Sequence, residues 1–173
     1  IESLSAYHST QYSQANDVGD FPEQNQEGIY HGEAYLRPIV KEHPETGVKN
    51  LFIGRHAFGI PGLTRKESRR LIHQLLEVVI SEENRIYTHS WAPGDTMVWD
   101  NRALLHRACP YDYSKARVLT ATRIAGDPES ELAYYPDDPR AKAGRKALAA
   151  ELAILREEVD DRRYRATTAS FQG

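Results

Sequence analysis

Apolar positions along the chain follow two periods. From Thr64 to Ser81, the residues Leu71, Ile72, Leu75, Leu76 and Val79 recur at helical spacing and predict one amphipathic helix. Thr64, with Glu67 three residues on, forms a capping box at its start. A second helix is expected from Arg140 to about Arg162, with the narrow stripe Leu148, Leu152, Leu155 and Val159. Most other apolar residues sit in short runs bounded by turn residues, which is strand behaviour. Leu36–Lys41 and Asn50–Ile53 read as two strands of a hairpin closed by His43-Pro44-Glu45-Thr46-Gly47, where Pro fixes φ and Gly permits a positive φ. Arg85–Ser90, Thr96–Trp99, Ala103–Ala108 and Arg117–Ile124 read as four more strands, with turns at Ala92–Asp95 and Asp100–Arg102. Short strands joined by tight turns suggest an antiparallel sandwich or jelly roll.

The ends and joints carry less pattern. Residues 1–35 are polar and rich in Gln, Asn, Ser and Tyr; they read as a loop or lid with a short helix around Ser9–Asn16. Residues 54–63 form a Gly-rich loop, and residues 126–139, with three prolines and five acidic residues, form a linker or surface loop. No internal repeat is visible.

Composition narrows the class. A chain of 173 residues fits one domain, and 40% hydrophobic residues can fill a sizeable core. The net charge of -3, without a basic run, argues against nucleic acid as a partner. No stretch approaches the ~20 apolar residues of a membrane helix, so no membrane partner is expected. The single cysteine, Cys109, allows no internal disulfide and fits a reducing, cytoplasmic setting. The chain opens on Ile1 rather than methionine and lacks the features of a signal peptide, so it is expected to begin part-way through a longer polypeptide.

Candidate chemistry concentrates between Trp99 and Arg123. His106 lies in one strand-like run, and Arg117 opens the next, eleven residues on. Adjacent strands with both side chains facing inward would line one pocket. An imidazole suits iron(II), and a guanidinium holds a carboxylate by two parallel hydrogen bonds. A histidine beside Leu104 and Leu105 is more often an ordinary core or surface side chain, so the pair alone is weak evidence for a metal site.

The surrounding residues go further. Trp99-Asp100-Asn101-Arg102, then His106-Arg107, then Arg117 resemble the taurine dioxygenase and 2,4-dichlorophenoxyacetate dioxygenase family. The likeness extends to the 43–47 turn, the Lys49–Ile53 strand, the helix from Gly62-Leu63-Thr64, the Tyr87–Trp99 run and Ala125-Gly126-Asp127, covering about residues 36–128. The His56-Ala57 loop and the 89–99 run look closer to the dichlorophenoxyacetate branch.

The resemblance implies a mainly β, double-stranded β-helix (jelly-roll, cupin-like) fold with flanking helices, of which this chain carries the C-terminal part. It implies an iron(II)- and 2-oxoglutarate-dependent dioxygenase that uses O2 to hydroxylate a small organic substrate, releasing succinate and carbon dioxide. In such enzymes iron sits on two histidines and a carboxylate. By similarity His106 is the distal histidine, and Arg117 holds the far carboxylate of 2-oxoglutarate. Trp99 touches the metal pocket, and Ala57, with His56 and Phe58, lines the substrate side. A homo-oligomer, dimer or tetramer, is expected, with the 148–159 stripe as one possible subunit contact. Trp91 and Trp99 are otherwise expected as core aromatics, His73 as solvated, and Tyr111 and Tyr113 as packing the loop before Arg117.

Two departures qualify this. The family's upstream His-x-Asp or His-x-Glu pair has no His-x-Asp counterpart here. Of two His-x-Glu triplets, His43-Pro44-Glu45 lies on the hairpin turn and reads as structural, while His31-Gly32-Glu33 lies too close to His106 for the family's order. The missing pair is expected to precede Ile1. Anion-binding members also carry an arginine four residues after the cosubstrate arginine, where this chain has Ala121. Arg123 shares that face by strand alternation and either replaces the charge or pairs with Asp127. A non-catalytic jelly-roll binding or scaffold domain is the alternative to the enzyme.

Overall fold

The computed structural model describes residues 1–23, 32–126 and 135–170. The described residues form two two-stranded antiparallel sheets and three α-helices. Strand β1 (Ser5–His8) pairs with β2 (Tyr35–Pro38), placing Ala6 opposite Arg37 and Tyr7 opposite Leu36. Strand β3 (Val40–Glu42) pairs with β4 (Lys49–Leu51) as the expected hairpin. The Gly47 backbone has φ 67, as the turn requires. The predicted first hairpin strand divides at Ile39, whose N–H bonds Leu4 while its carbonyl accepts from Phe52.

β1 is the centre of the molecule because its side chains alternate between two cores. Tyr7 joins Tyr12, Ala15, Leu36 and Phe58, covered by Leu148 and Leu155. Ala6 joins Ile39, Ile53, Ala57, Ile60 and Ile72. The loop reading of residues 1–35 is corrected at β1, a packed strand, while the short helix expected around Ser9–Asn16 forms as α1 (Thr10–Val18); Ala6 and Ala15 are fully buried. Helix α1 starts at Ser9, whose hydroxyl accepts the Tyr12 N–H, and ends at Gly19 in the left-handed region. Polar side chains hid this segment, since Ser5, Ser9, Gln11 and Ser13 are all buried.

Helix α2 (Arg65–Ile80) forms as predicted, with both bonds of the Thr64–Glu67 capping box present. Its face of Leu71, Ile72, Leu75, Leu76 and Val79 packs on the second core. A 3₁₀ turn at Pro139–Ala143 leads into α3 (Gly144–Ser170), longer than expected. Leu148, Leu155 and Val159 are buried within their own chain, so this stripe does not offer a subunit contact. Among the described residues no helix is long and apolar enough to cross a membrane.

The main correction concerns residues 85–124. None of the four strands expected there forms. Arg85 ends a short 3₁₀ turn, and the rest runs as turns and irregular chain, with Val98, Val118 and Ile124 each more than four-fifths exposed. A strand is stable only when its backbone groups find a ladder partner and its apolar face a core. Neither is present for this segment among the described residues. Helix therefore outweighs strand, against the mainly β expectation, and the described architecture is short antiparallel sheets with packed helices.

Candidate active site

The turn before His106 is built by side chains. Asp100 Oδ1 accepts the Arg102 N–H at 2.8 Å, and the Arg102 Nη2 reaches Asp100 Oδ2 at 2.6 Å. The Arg102 guanidinium and backbone N–H, with His43, hold the Asp100 carboxyl well below the usual carboxylate range. Asn101 Oδ1 accepts the Trp99 indole N–H at 2.9 Å. That bond fixes the indole, whose ring lies 5.0 Å from the His106 ring at 55°. His106 is exposed. The turn expected at Asp100–Arg102 forms, but Trp91 and Trp99 are exposed at 43% and 41%, not core.

Arg117 follows a loop that organises itself. Asp112 Oδ1 accepts both the backbone N–H and the hydroxyl of Ser114, at 3.0 and 2.6 Å. Tyr111 and Tyr113 pack with centroids 4.4 Å apart. The Arg117 guanidinium lies over the Tyr111 ring at 4.8 Å, a cation–π contact that leaves it exposed. Arg123 is exposed, and Asp127, its alternative partner, lies outside the described residues.

The 54–58 loop departs from expectation. Ala57 is 4% exposed, bridges to His8 and packs in the second core, so its methyl faces Ile39 and Ile60's cluster rather than an open pocket. His56 is tied to α1: its Nδ1 lies 2.7 Å from Ser13 Oγ. The Ser13 hydroxyl donates to Thr10 O at 2.9 Å, so the His56 Nδ1 is assigned as the donor to Oγ. Burial, and then the Arg55 charge, push the His56 pKa down. His8 was not anticipated as a special residue. Its Nε2 is enclosed without a hydrogen-bond partner, and burial, with the Arg37 and His56 charges, pushes its pKa down to about 3.

His43 is 7% exposed, and its Nδ1 accepts the N–H groups of Glu45 and Thr46 at 3.2 and 3.3 Å. The structural reading of His43-Pro44-Glu45 therefore agrees with the structure. Glu33 of the other triplet pairs with Arg145, and His31 lies outside the described residues. His73, on α2, is solvated as expected. Among the described residues no group of three His, Cys, Asp or Glu side chains is gathered closely enough to hold a metal. His106 offers one imidazole, and these residues alone do not complete an iron site.

Comparison with known proteins gives this geometry its context. The chain is 49% identical over 138 residues to the (S)-phenoxypropionate/alpha-ketoglutarate-dioxygenase of Sphingobium herbicidovorans, covering 77% of this chain and 47% of that protein. It is 44% identical to the protein of the same name from Delftia acidovorans, covering 76% and 46%. Over 90 residues it is 45% identical to the alpha-ketoglutarate-dependent 2,4-dichlorophenoxyacetate dioxygenase of Cupriavidus pinatubonensis, covering 52% and 31%. The chain thus spans about half the length of the first two relatives. The family model described as "Taurine catabolism dioxygenase TauD, TfdA family" matches residues 1–123, a span that holds β1, the 43–47 turn, the Asp100 turn, His106 and Arg117. With the match running through every element that positions these side chains, the chain belongs to the TauD/TfdA dioxygenase family.

Proposed function

We propose that the protein containing this chain is an iron(II)- and 2-oxoglutarate-dependent dioxygenase that hydroxylates a small organic acid. The observation that carries the reading is the 49% identity, over 77% of the chain, to a phenoxypropionate/alpha-ketoglutarate dioxygenase. In this reading residues 1–173 are one part of a single oxygenase domain of jelly-roll type, with 36–128 as its core. A homo-oligomer in the cytoplasm remains part of the proposal, assembled on surfaces other than the buried 148–159 stripe.

Iron(II), when bound, supplies the redox chemistry of O2 activation, coupled to decarboxylation of 2-oxoglutarate to succinate. His106 contributes one imidazole lone pair, with Trp99 against its ring limiting its rotation. Arg117 leaves the Tyr111 face to hold the far carboxylate of 2-oxoglutarate through two parallel hydrogen bonds. Arg123, at the exposed end of the same run, is the candidate partner for the substrate carboxylate. Ala57 acts only from below, as packing under the loop.

The scaffold alternative draws on the absence of a three-ligand cluster among the described residues. One assay separates the two: succinate release from 2-oxoglutarate, with Fe(II) and O2 supplied, across a panel led by (R)- and (S)-aryloxypropionic acids. Substrate-dependent succinate supports the enzyme. Its absence across the panel, in a protein of the relatives' full length with Fe(II) bound, supports the scaffold.

A further inference from the structure

The 43–47 turn and the Asp100 turn are 57 residues apart in sequence yet joined by a closed ring of polar contacts. His43 Nε2 lies 3.1 Å from Asp100 Oδ2. Because Nδ1 accepts two backbone N–H groups, the ring proton is assigned to Nε2, which donates to Asp100. Asp100 in turn accepts from the Arg102 backbone and guanidinium. Arg102 Nη1 reaches back to Glu45 Oε1 at 3.1 Å, closing the ring on the residue two beyond His43.

The two bonds to the hairpin differ in weight. Glu45 is 72% exposed, so its pair with Arg102 contributes little. His43 is 7% exposed, and losing Asp100 would strand a buried N–H donor. The His43–Asp100 bond therefore decides where the turn docks. That position matters because, among the described residues, 87–126 have no strand ladder to fix them. Trp99 precedes Asp100 directly, and its ring lies against the His106 ring.

We infer that His43 is a positioning residue: through Asp100 it docks the Trp99–Arg102 turn on the β3–β4 hairpin and so sets the orientation of His106. The functional weight of this rests on the reading of His106 given under the proposed function, but the linkage itself needs no metal.

The test is NMR of the metal-free chain, reading the His106 ring protons, which sit in the ring current of Trp99. His43→Asn keeps an acceptor for the turn amides and removes the donor to Asp100. His43→Gln places an amide N–H near the Nε2 position. The expected result is that the Asn variant moves the His106 ring signals to unstructured-histidine positions, with the Tyr12–Phe58 core signals unchanged, and that the Gln variant restores most of the parent shift. Parent-like His106 signals in a folded Asn variant overturn the inference. If His43→Asn loses its core signals, Asp100→Ala removes the acceptor of the same bond from the exposed side, and unmoved His106 signals there overturn it equally. Failure of the succinate assay would remove the proposed function without touching this result.

Discussion

Arg65 Nε donates to both carboxylate oxygens of Glu151, at 2.9 and 3.0 Å, and binds the first turn of α2 to the first third of α3. The same guanidinium reaches Glu158 Oε1 at 2.8 Å, about two helical turns further along α3. Glu151 is mostly buried and Arg65 about one-third exposed, so the pair is intermediate between a surface bridge and a buried one. Arg65→Ala should destabilise the chain by about 1–2 kcal/mol, combining a charge-assisted bond with a stranded carboxylate, discounted for solvent access. Urea unfolding measures this. Glu158→Gln, at the exposed end, should cost less than Glu151→Gln.

His8 gives a pH dependence with a definite sign. Its folded pKa is about 3, below the ordinary 6.5. The unfolded chain takes up a proton below about 6.5 that the native chain refuses until about 3. Stability is therefore lost as pH falls through that window, by at most about 1.4 kcal/mol per pH unit from this residue. His8→Phe, placed beside Phe52, which the native ring already faces at 5.6 Å, should flatten the curve between pH 6 and 4. Denaturation midpoints of parent and variant across that range, falling in parallel, would contradict the assignment.

His106→Ala should abolish Fe(II)-dependent succinate formation in the protein containing this chain while leaving it folded. The residue is exposed and outside both cores, so its loss should leave the thermal midpoint near the parent value. Near-normal turnover would remove His106 from the metal site.

Arg117→Ala should raise the 2-oxoglutarate requirement by about ten-fold or more, because a two-pronged charge-assisted bond contributes roughly 1.5–3 kcal/mol. Arg117→Lys should recover part of this, restoring charge without the planar fork. A titration of the Ala variant that overlays the parent would leave Arg117 with only its Tyr111 contact.

The sequence by itself determined what local chemistry can specify. The α2 period, its Thr64–Glu67 cap and the Gly47 turn each depend on residues within a few positions of one another, and all three form as read. The 99–117 residues likewise identified the family, because a motif is a local pattern. Tertiary structure decided what depends on distant partners. β1 is a strand because Leu36 and Phe58 cover it, a fact its polar composition concealed. Ala57 points into a core set by Ile39 and Ile60, and Leu148 and Leu155 close over Tyr7 and Tyr12 instead of facing another subunit. The 85–124 runs have strand composition but no ladder among the described residues, since alternation specifies a face and only a neighbouring strand supplies the hydrogen bonds. His43 likewise shows in sequence as a turn residue, and only the fold brings Asp100 to its other nitrogen.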